Sequence, residues 1–193
     1  IKIAEGKTAV THVELKDGDR ILGDYDEGVM ADFKLTEEDI NFLCSHNLVV
    51  TGIWGMIESE LYKIKERNVP IAFDFSDKIN HEITHKALPY VDYAFFSCDN
   101  KSDEELHKFM ISIKSKGPKI VIVTKGENGS IAYDGNEFIE FGIVECKVID
   151  SMGAGDSYIA GFLMGILEGK SILECMQKGA LSSSETIGYY GAW

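Results

Sequence analysis

Asp150-Ser151-Met152-Gly153-Ala154-Gly155-Asp156 decides how this 193-residue chain is read. A strand-like run over residues 145–149 leads into it, and a helix-like run over 157–168 leads out. Small residues at a strand-to-helix turn let the backbone approach a ligand closely. The first amides of a helix have no carbonyl partner, so they make an anion hole without a charged side chain. Asp156 then sets a carboxylate beside the anion. That arrangement is repulsive unless Asp156 takes a proton from a nucleophile attacking the anion. The plainer alternative is that Asp156 caps its own helix. Two other phosphate motifs are excluded by spacing. A dinucleotide fingerprint needs glycine or alanine at 158, where Tyr158 stands. A P-loop ending at Gly169-Lys170-Ser171 needs glycine at 164, where Met164 stands, and that run joins two helices.

Upstream, apolar runs over 48–51, 71–75, 93–96 and 120–124 alternate with helical patterns over 36–43, 58–67, 82–88 and 103–116. Short buried strands alternating with helices predict a mostly parallel sheet with helices on both faces. Thr36 and Asp39 form a capping-box-like helix start. Asn128-Gly129 and Asp134-Gly135 signal hairpins, with strands over 130–133 and 138–141. The last helix is expected over 171–184. Near the start, residues 8–15 alternate like a strand, Asp17-Gly18 is a hairpin turn signal, and 20–23 return. The chain thus divides into a small β segment, 1–31, and an α/β core, 32–193.

Thr124-Lys125-Gly126-Glu127-Asn128-Gly129 follows a buried strand, where ligands of such sheets lie. Its alternative reading is a tight turn that uses glycine for positive φ. Ala180 to Ser184 is a run of small residues that suits either a ligand pocket or helix packing. Asp24, Asp26 and Glu27 form an acidic cluster, either a solvated loop or a lid edge facing a cation. Trp54 follows a strand, where an aromatic ring either joins the core or stacks on a ligand. His81 and His85 sit four apart on a helix but lack an evident third metal ligand. Four scattered cysteines show no paired spacing and read as reduced thiols.

The 32 acids and 19 Lys and Arg residues leave a net charge of −13, which argues against nucleic acid or an anionic membrane as partner. No run of about twenty apolar residues suits a membrane span, and the first residues lack the apolar centre of a signal peptide. A cytoplasmic enzyme is expected.

The full run from Asp150 to Phe162, Asp-Ser-x-Gly-Ala-Gly-Asp-Ser-x-x-Ala-Gly-Phe, resembles the signature of the ribokinase-like (PfkB) carbohydrate kinases. The resemblance implies a three-layer α/β/α sandwich with a β lid that often serves as a homodimer contact. It assigns the anion hole to Gly153, Ala154 and Gly155 and the catalytic base to Asp156. It assigns the nucleotide loop to Thr124, Gly126 and Gly129, and the adenine-lining helix to the run that includes Ser182. ATP and Mg2+ are the implied cofactors. Asp150 and the Met152 carbonyl match two ligands of a K+ site. Such kinases carry further N-terminal strands with sugar-binding residues, so the chain is expected to be incomplete at its N-terminal side. Two family motifs differ here: Asp74-Phe75-Ser76-Asp77-Lys78 stands where Asp-x-Asn-x-Arg is usual, and Ser97-Cys98-Asp99-Asn100 where Asn-x-x-Glu organises magnesium.

Gly23 to Phe33, Ala72 to Lys78, the Gly126 to Ser130 loop and the terminal Gly191-Ala192-Trp193 resemble one branch of the family, the fructoselysine 6-kinases. That resemblance implies transfer to the 6-hydroxyl of an amine-linked fructose, with Asp24, Asp26, Glu27 and Trp54 toward the substrate. A kinase for a plain sugar or sugar acid, and a nucleotide-binding fragment without turnover, are the alternative readings.

Overall fold

The computed structural model describes residues 3–16, 19–99 and 101–192, with side chains omitted over 13–22. A two-stranded antiparallel hairpin, β1 (Val10–Lys16) and β2 (Asp19–Asp26), precedes the core. The expected Asp17-Gly18 turn, Asn100 and Trp193 lie outside the described residues.

The core sheet has six strands in sequential order: β3 (Val49–Gly52), β4 (Ile71–Asp74), β5 (Tyr93–Ser97), β6 (Ile120–Thr124), β7 (Ser130–Tyr133) and β8 (Phe138–Phe141). β3 to β6 are parallel, and β7 and β8 return antiparallel through the two glycine turns. Parallel crossovers are right-handed. A sheet that grows steadily in one direction therefore keeps its connecting helices on one face. These are α1 (Glu37–Cys44), α2 (Leu61–Lys65), α3 (Glu82–Ala87) and α4 (Asp103–Lys114). The opposite face is covered by α5 (Ala154–Leu167) and α6 (Ile172–Thr186).

Strand alternation feeds the two faces. Phe73, Phe75, Ala94, Phe96, Val121 and Val123 pack toward α1–α4, around Leu61, Met110 and Ile113. Ala72, Phe95, Ile120 and Ile122 pack toward α5 and α6, around Ile159, Phe162 and Met176. Strands buried on both sides read as unbroken apolar runs, which is why the sequence pattern locates them. Capping boxes begin three helices, at Thr36 with Asp39, Ser102 with Glu105, and Ser171 with Glu174. The His81 ring accepts from the Ile83 amide at 3.3 Å, so it caps α3. Among the described residues no group of three or more metal-ligating side chains forms. No helix among them is long and apolar enough to cross a membrane.

Two expectations are corrected. Residues 145–149 form no strand. Their amides find no neighbouring strand; instead the Ile149 and Asp150 amides bond the Ile187 carbonyl beyond α6, at 2.8 and 3.3 Å. The helix expected from residue 157 begins one turn earlier, at Ala154.

Asp92 fastens the lower ends of three strands. It is 2% exposed. One carboxylate oxygen accepts from Lys65 Nζ at 2.8 Å and the Ile71 amide at 3.0 Å, and the other lies 3.1 Å from Lys119 Nζ. Burial pushes this carboxyl up, but the bonds from Lys65, Ile71 and Lys119 outweigh it and hold it below the ordinary aspartate value. Removing one partner of a buried charge group costs about 3 kcal/mol, so Asp92→Ala should lower Tm by roughly 10 °C. The pH dependence follows from the depressed folded value. The stabilisation is complete above the unfolded value near about 4 and is lost as pH falls through the folded one. Thermal melts should therefore show the gap between wild type and Asp92→Asn narrowing below about pH 4; a gap constant down to pH 2 would contradict the assignment.

Candidate active site

The turn before α5 is built on Gly153, which sits at φ 78° in the left-handed region. A β-carbon there would lie 2.8 Å from the Ala192 β-carbon, so only glycine fits. Gly155 has helical geometry, and nothing lies within 4 Å of where its β-carbon would stand. The conformational demand thus falls on Gly153 and the open approach on Gly155. The Ala154 amide reaches the Ser151 carbonyl at 3.3 Å. The Gly155 and Asp156 amides find no acceptor among the described residues, and no side chain caps the helix. They stand at the positive end of a 14-residue helix, an arrangement that suits an anion. Asp156 is exposed and makes no cap bond, so the capping alternative is not what the structure adopts.

The turn separates two spaces. A cavity of about 760 Å³ lies on one side, reached by Ser151, Ala154 and Gly155. Thr124, Gly126 and Gly129 also line it. Gly126 and Gly129 sit at φ 55° and 80°. A β-carbon at Gly129 would strike the Phe141 carbonyl at 2.3 Å, so the glycine lets the loop fold against β8. Thr124 donates its hydroxyl to the Phe96 carbonyl at 3.3 Å. On the other side, a groove of about 800 Å³ is lined by Asp156, Trp54, Gly52 and apolar residues of α5. Asp74, at the end of β4, lines both spaces.

Asp74 is half-buried. One oxygen accepts the Ser76 amide at 2.8 Å, bending the chain so that Ser76 sits at φ 51°. Burial raises the Asp74 carboxyl above its ordinary value; the Ser76 amide opposes this and the nearby Asp156 charge adds to it. Asp99 lies beside Gly126, 3.4 Å from where its β-carbon would be. Among the described residues no lysine or arginine lines either space. Tyr158 forms part of the cavity wall and donates to Ser130 Oγ at 2.8 Å; burial pushes its hydroxyl up to about 12, with that bond pulling against it.

Ser182 does not line the cavity. The α6 residues that do are Ala180, Ser183 and Ser184, followed by Ile187. These share one helical stripe, and Ser182 falls off it. Asp150 spends its oxygens on the backbone, accepting from the Met152 amide at 3.0 Å and the Gly191 amide at 3.2 Å. Asp24, Asp26 and Glu27 are exposed on the hairpin and its exit, and Asp26 accepts the Gly28 amide at 2.9 Å. Trp54 is 51% exposed and meets Tyr25 of β2 edge-on, with ring centroids 5.1 Å apart. The sequence reading missed Asp74 as a site residue, Tyr25, Glu127 and the irregular 142–148 segment that walls the cavity. The exposed apolar side chains of that segment, Ile143 and Val148, were the available signal.

Residues 1–193 match the pfkB family carbohydrate kinases. Among curated relatives, the fructoselysine 6-kinase of Shigella flexneri is 46% identical over 97% of this chain and 72% of its own length. A fructosamine kinase of Bacillus subtilis is 33% identical over 100% of this chain and 69% of its own length. Among solved structures, Arabidopsis thaliana ribokinase in complex with ribose and ATP superposes with a TM-score of 0.83 at 21% identity. That alignment covers 97% of this chain, and the chain spans 65% of the ribokinase.

A separable pair of glycine effects follows. Gly153→Ala should be destabilising by about 1–2 kcal/mol, because an L-residue is forced left-handed into Ala192. Gly155→Val should keep Tm within a few degrees but weaken nucleotide binding about tenfold or more, because its branches stand in front of the free amides. Thermal melts and nucleotide titration check both; unchanged nucleotide affinity in Gly155→Val would move the anion site elsewhere.

Proposed function

The chain belongs to the pfkB family of carbohydrate kinases, and on that premise we propose that it transfers the γ-phosphoryl group of ATP to the 6-hydroxyl of an amine-linked fructose such as fructoselysine. One observation carries the reading. Gly155, which carries one of the free amides of α5, lines the cavity, while Asp156, one residue on, lines the groove. Phosphoryl transfer needs leaving group and nucleophile on opposite sides of the moving group. The nucleotide then occupies the cavity, with Thr124, Gly126 and Gly129 at its phosphates, and the acceptor occupies the groove. Asp156 takes the proton of the attacking hydroxyl. The Gly155 and Asp156 amides stabilise charge building on the transferred group.

A triphosphate in this cavity meets Asp74, Glu127 and Glu145 and no cationic side chain. Hard carboxylate donors too few for a protein-only cage suit Mg2+, which is usually held by phosphates, water and one or two carboxylates. Asp74 and Asp99 are the residues that would hold it, and it would neutralise charge on the phosphates. Asp150, with the Met152 carbonyl, is assigned a monovalent cation such as K+, which would steady the anion turn. Asp24, Asp26 and Glu27 supply a negative field that draws a cationic substrate toward the groove. The exposed hairpin is the surface through which two copies would pair, and the cytoplasm is the expected compartment.

The test is phosphate transfer to fructoselysine and to fructose by the complete protein. Wild type should favour fructoselysine. Asp156→Asn should retain nucleotide binding and lose about a hundred- to ten-thousand-fold in kcat. Turnover within a few-fold of wild type in that variant would end the role of Asp156 as base.

A further inference from the structure

Trp54 is placed outside the core by the chain around it. Ile53 and Ile57 are 5% and 8% exposed, so both flanks of the turn are anchored. Between them Met56 sits at φ 54° and ψ 29°, a left-handed conformation that non-glycine residues seldom adopt. Gly55 has no room for a side chain, since its β-carbon would meet Thr51 Oγ1 at 2.5 Å. The result is an indole standing at the groove that also holds Asp156. Beside it the floor is bare: Gly52 carries no side chain, and a β-carbon there would lie 3.0 Å from the Asp74 carbonyl.

The hairpin answers with one ring. Tyr25 is half-buried and meets Trp54 at 5.1 Å and 63° between planes. Neighbouring strand residues point to opposite faces, so Asp26 turns away from the core when Tyr25 turns toward it. Asp26 also spends an oxygen on the Gly28 amide. Among the described hairpin side chains, the one that meets the groove wall at Trp54 is therefore the Tyr25 ring rather than an acid.

We infer that Tyr25 and Trp54 act as one aromatic corner that selects the acceptor, taking the C–H face of the sugar and the cationic amine joined to it. This rests on the function proposed above and adds the residues that discriminate. Aromatic faces attract ammonium groups and pack on C–H surfaces, and two rings at an angle hold both parts of such a substrate. The acids of the hairpin act at longer range and are screened by salt; the corner acts by contact and is not.

The test uses the complete protein, with Trp54→Leu, Tyr25→Leu, the double variant and Tyr25→Phe. Each leucine variant should raise KM for fructoselysine about tenfold, equally at low and high salt. KM for fructose should rise less than about threefold, since the amine contact is missing there. The double variant should be little worse than either single one, because the rings work as a unit. Tyr25→Phe should restore the wild-type KM, which a role for the hydroxyl would not allow. kcat should stay within about twofold, as ground state and transition state are held alike. Should a leucine variant misfold, Trp54 fluorescence in a Trp193→Phe background provides the second readout: fructoselysine should perturb it and fructose much less. Unchanged KM for fructoselysine in both leucine variants, or equal rises for the two sugars, overturns the corner while leaving the kinase reading intact. A wild-type protein that phosphorylates neither sugar overturns the proposed acceptor class itself, and the corner with it.

Discussion

The site depends on a helix start that must stay bare. Gly153 turns left-handed because Ala192 occupies the space a side chain would need. Asp150 bonds the Met152 and Gly191 amides, and the Ile187 carbonyl accepts the Ile149 and Asp150 amides. The segment after α6 thereby clamps the turn before α5. The two helices fix the rest. A β-carbon at Gly161 would meet the Lys178 carbonyl at 2.5 Å, and one at Gly165 would meet Cys175 Sγ at 2.8 Å. Glycine lets α5 and α6 pack backbone to backbone. That contact sets how far the free amides stand from Asp74 on β4 and from the glycine turn after β6.

With the proposed nucleotide in the cavity, the electrostatics of the site call for a cation brought in with it. Cavity and groove hold carboxylates, backbone amides and no lysine or arginine among the described residues. A helix start supplies the equivalent of about half a positive charge. That cannot balance a triphosphate beside three carboxylates. Burial raises the Asp74 carboxyl, with the Ser76 amide opposing and the nearby Asp156 charge adding to the rise. The basic groups are used for structure instead. Lys65 and Lys119 converge on Asp92 at the opposite end of the strands, away from the chemistry.

Much of this was legible in the sequence, for identifiable reasons. Strands buried on both faces are apolar at every position, and capping boxes mark helix starts with side chains that have no better use. Glycines at 126, 129 and 153 were readable because each serves a backbone conformation that other residues resist. The misreadings share a cause. The 145–149 run has strand composition, but a strand exists only where a neighbouring edge accepts it, and no local pattern reveals that. Ser182 is the right residue type on the right helix at the wrong phase, because the stripe facing the cavity is set by how α6 packs on α5. Tyr25 went unseen because its neighbours Asp24 and Asp26 dominate the composition of the strand end, while the strand pleat assigns the inward position to the ring.

On the proposed function, chemistry and selection sit on different parts of the chain. The amides, Asp156 and the nucleotide turn all belong to the core, and their positions are fixed by buried packing on both sheet faces. Among the described side chains of the hairpin none joins either apolar cluster, and Tyr25 meets Trp54 of the core ring to ring. Trp54 links the two parts, because it shares the groove with Asp156 while touching the hairpin. A family that keeps its transfer machinery while changing acceptor would be expected to vary at this seam. The bare Gly52 and the anchored Ile53 and Ile57 keep the seam in register whatever ring or side chain stands at 54.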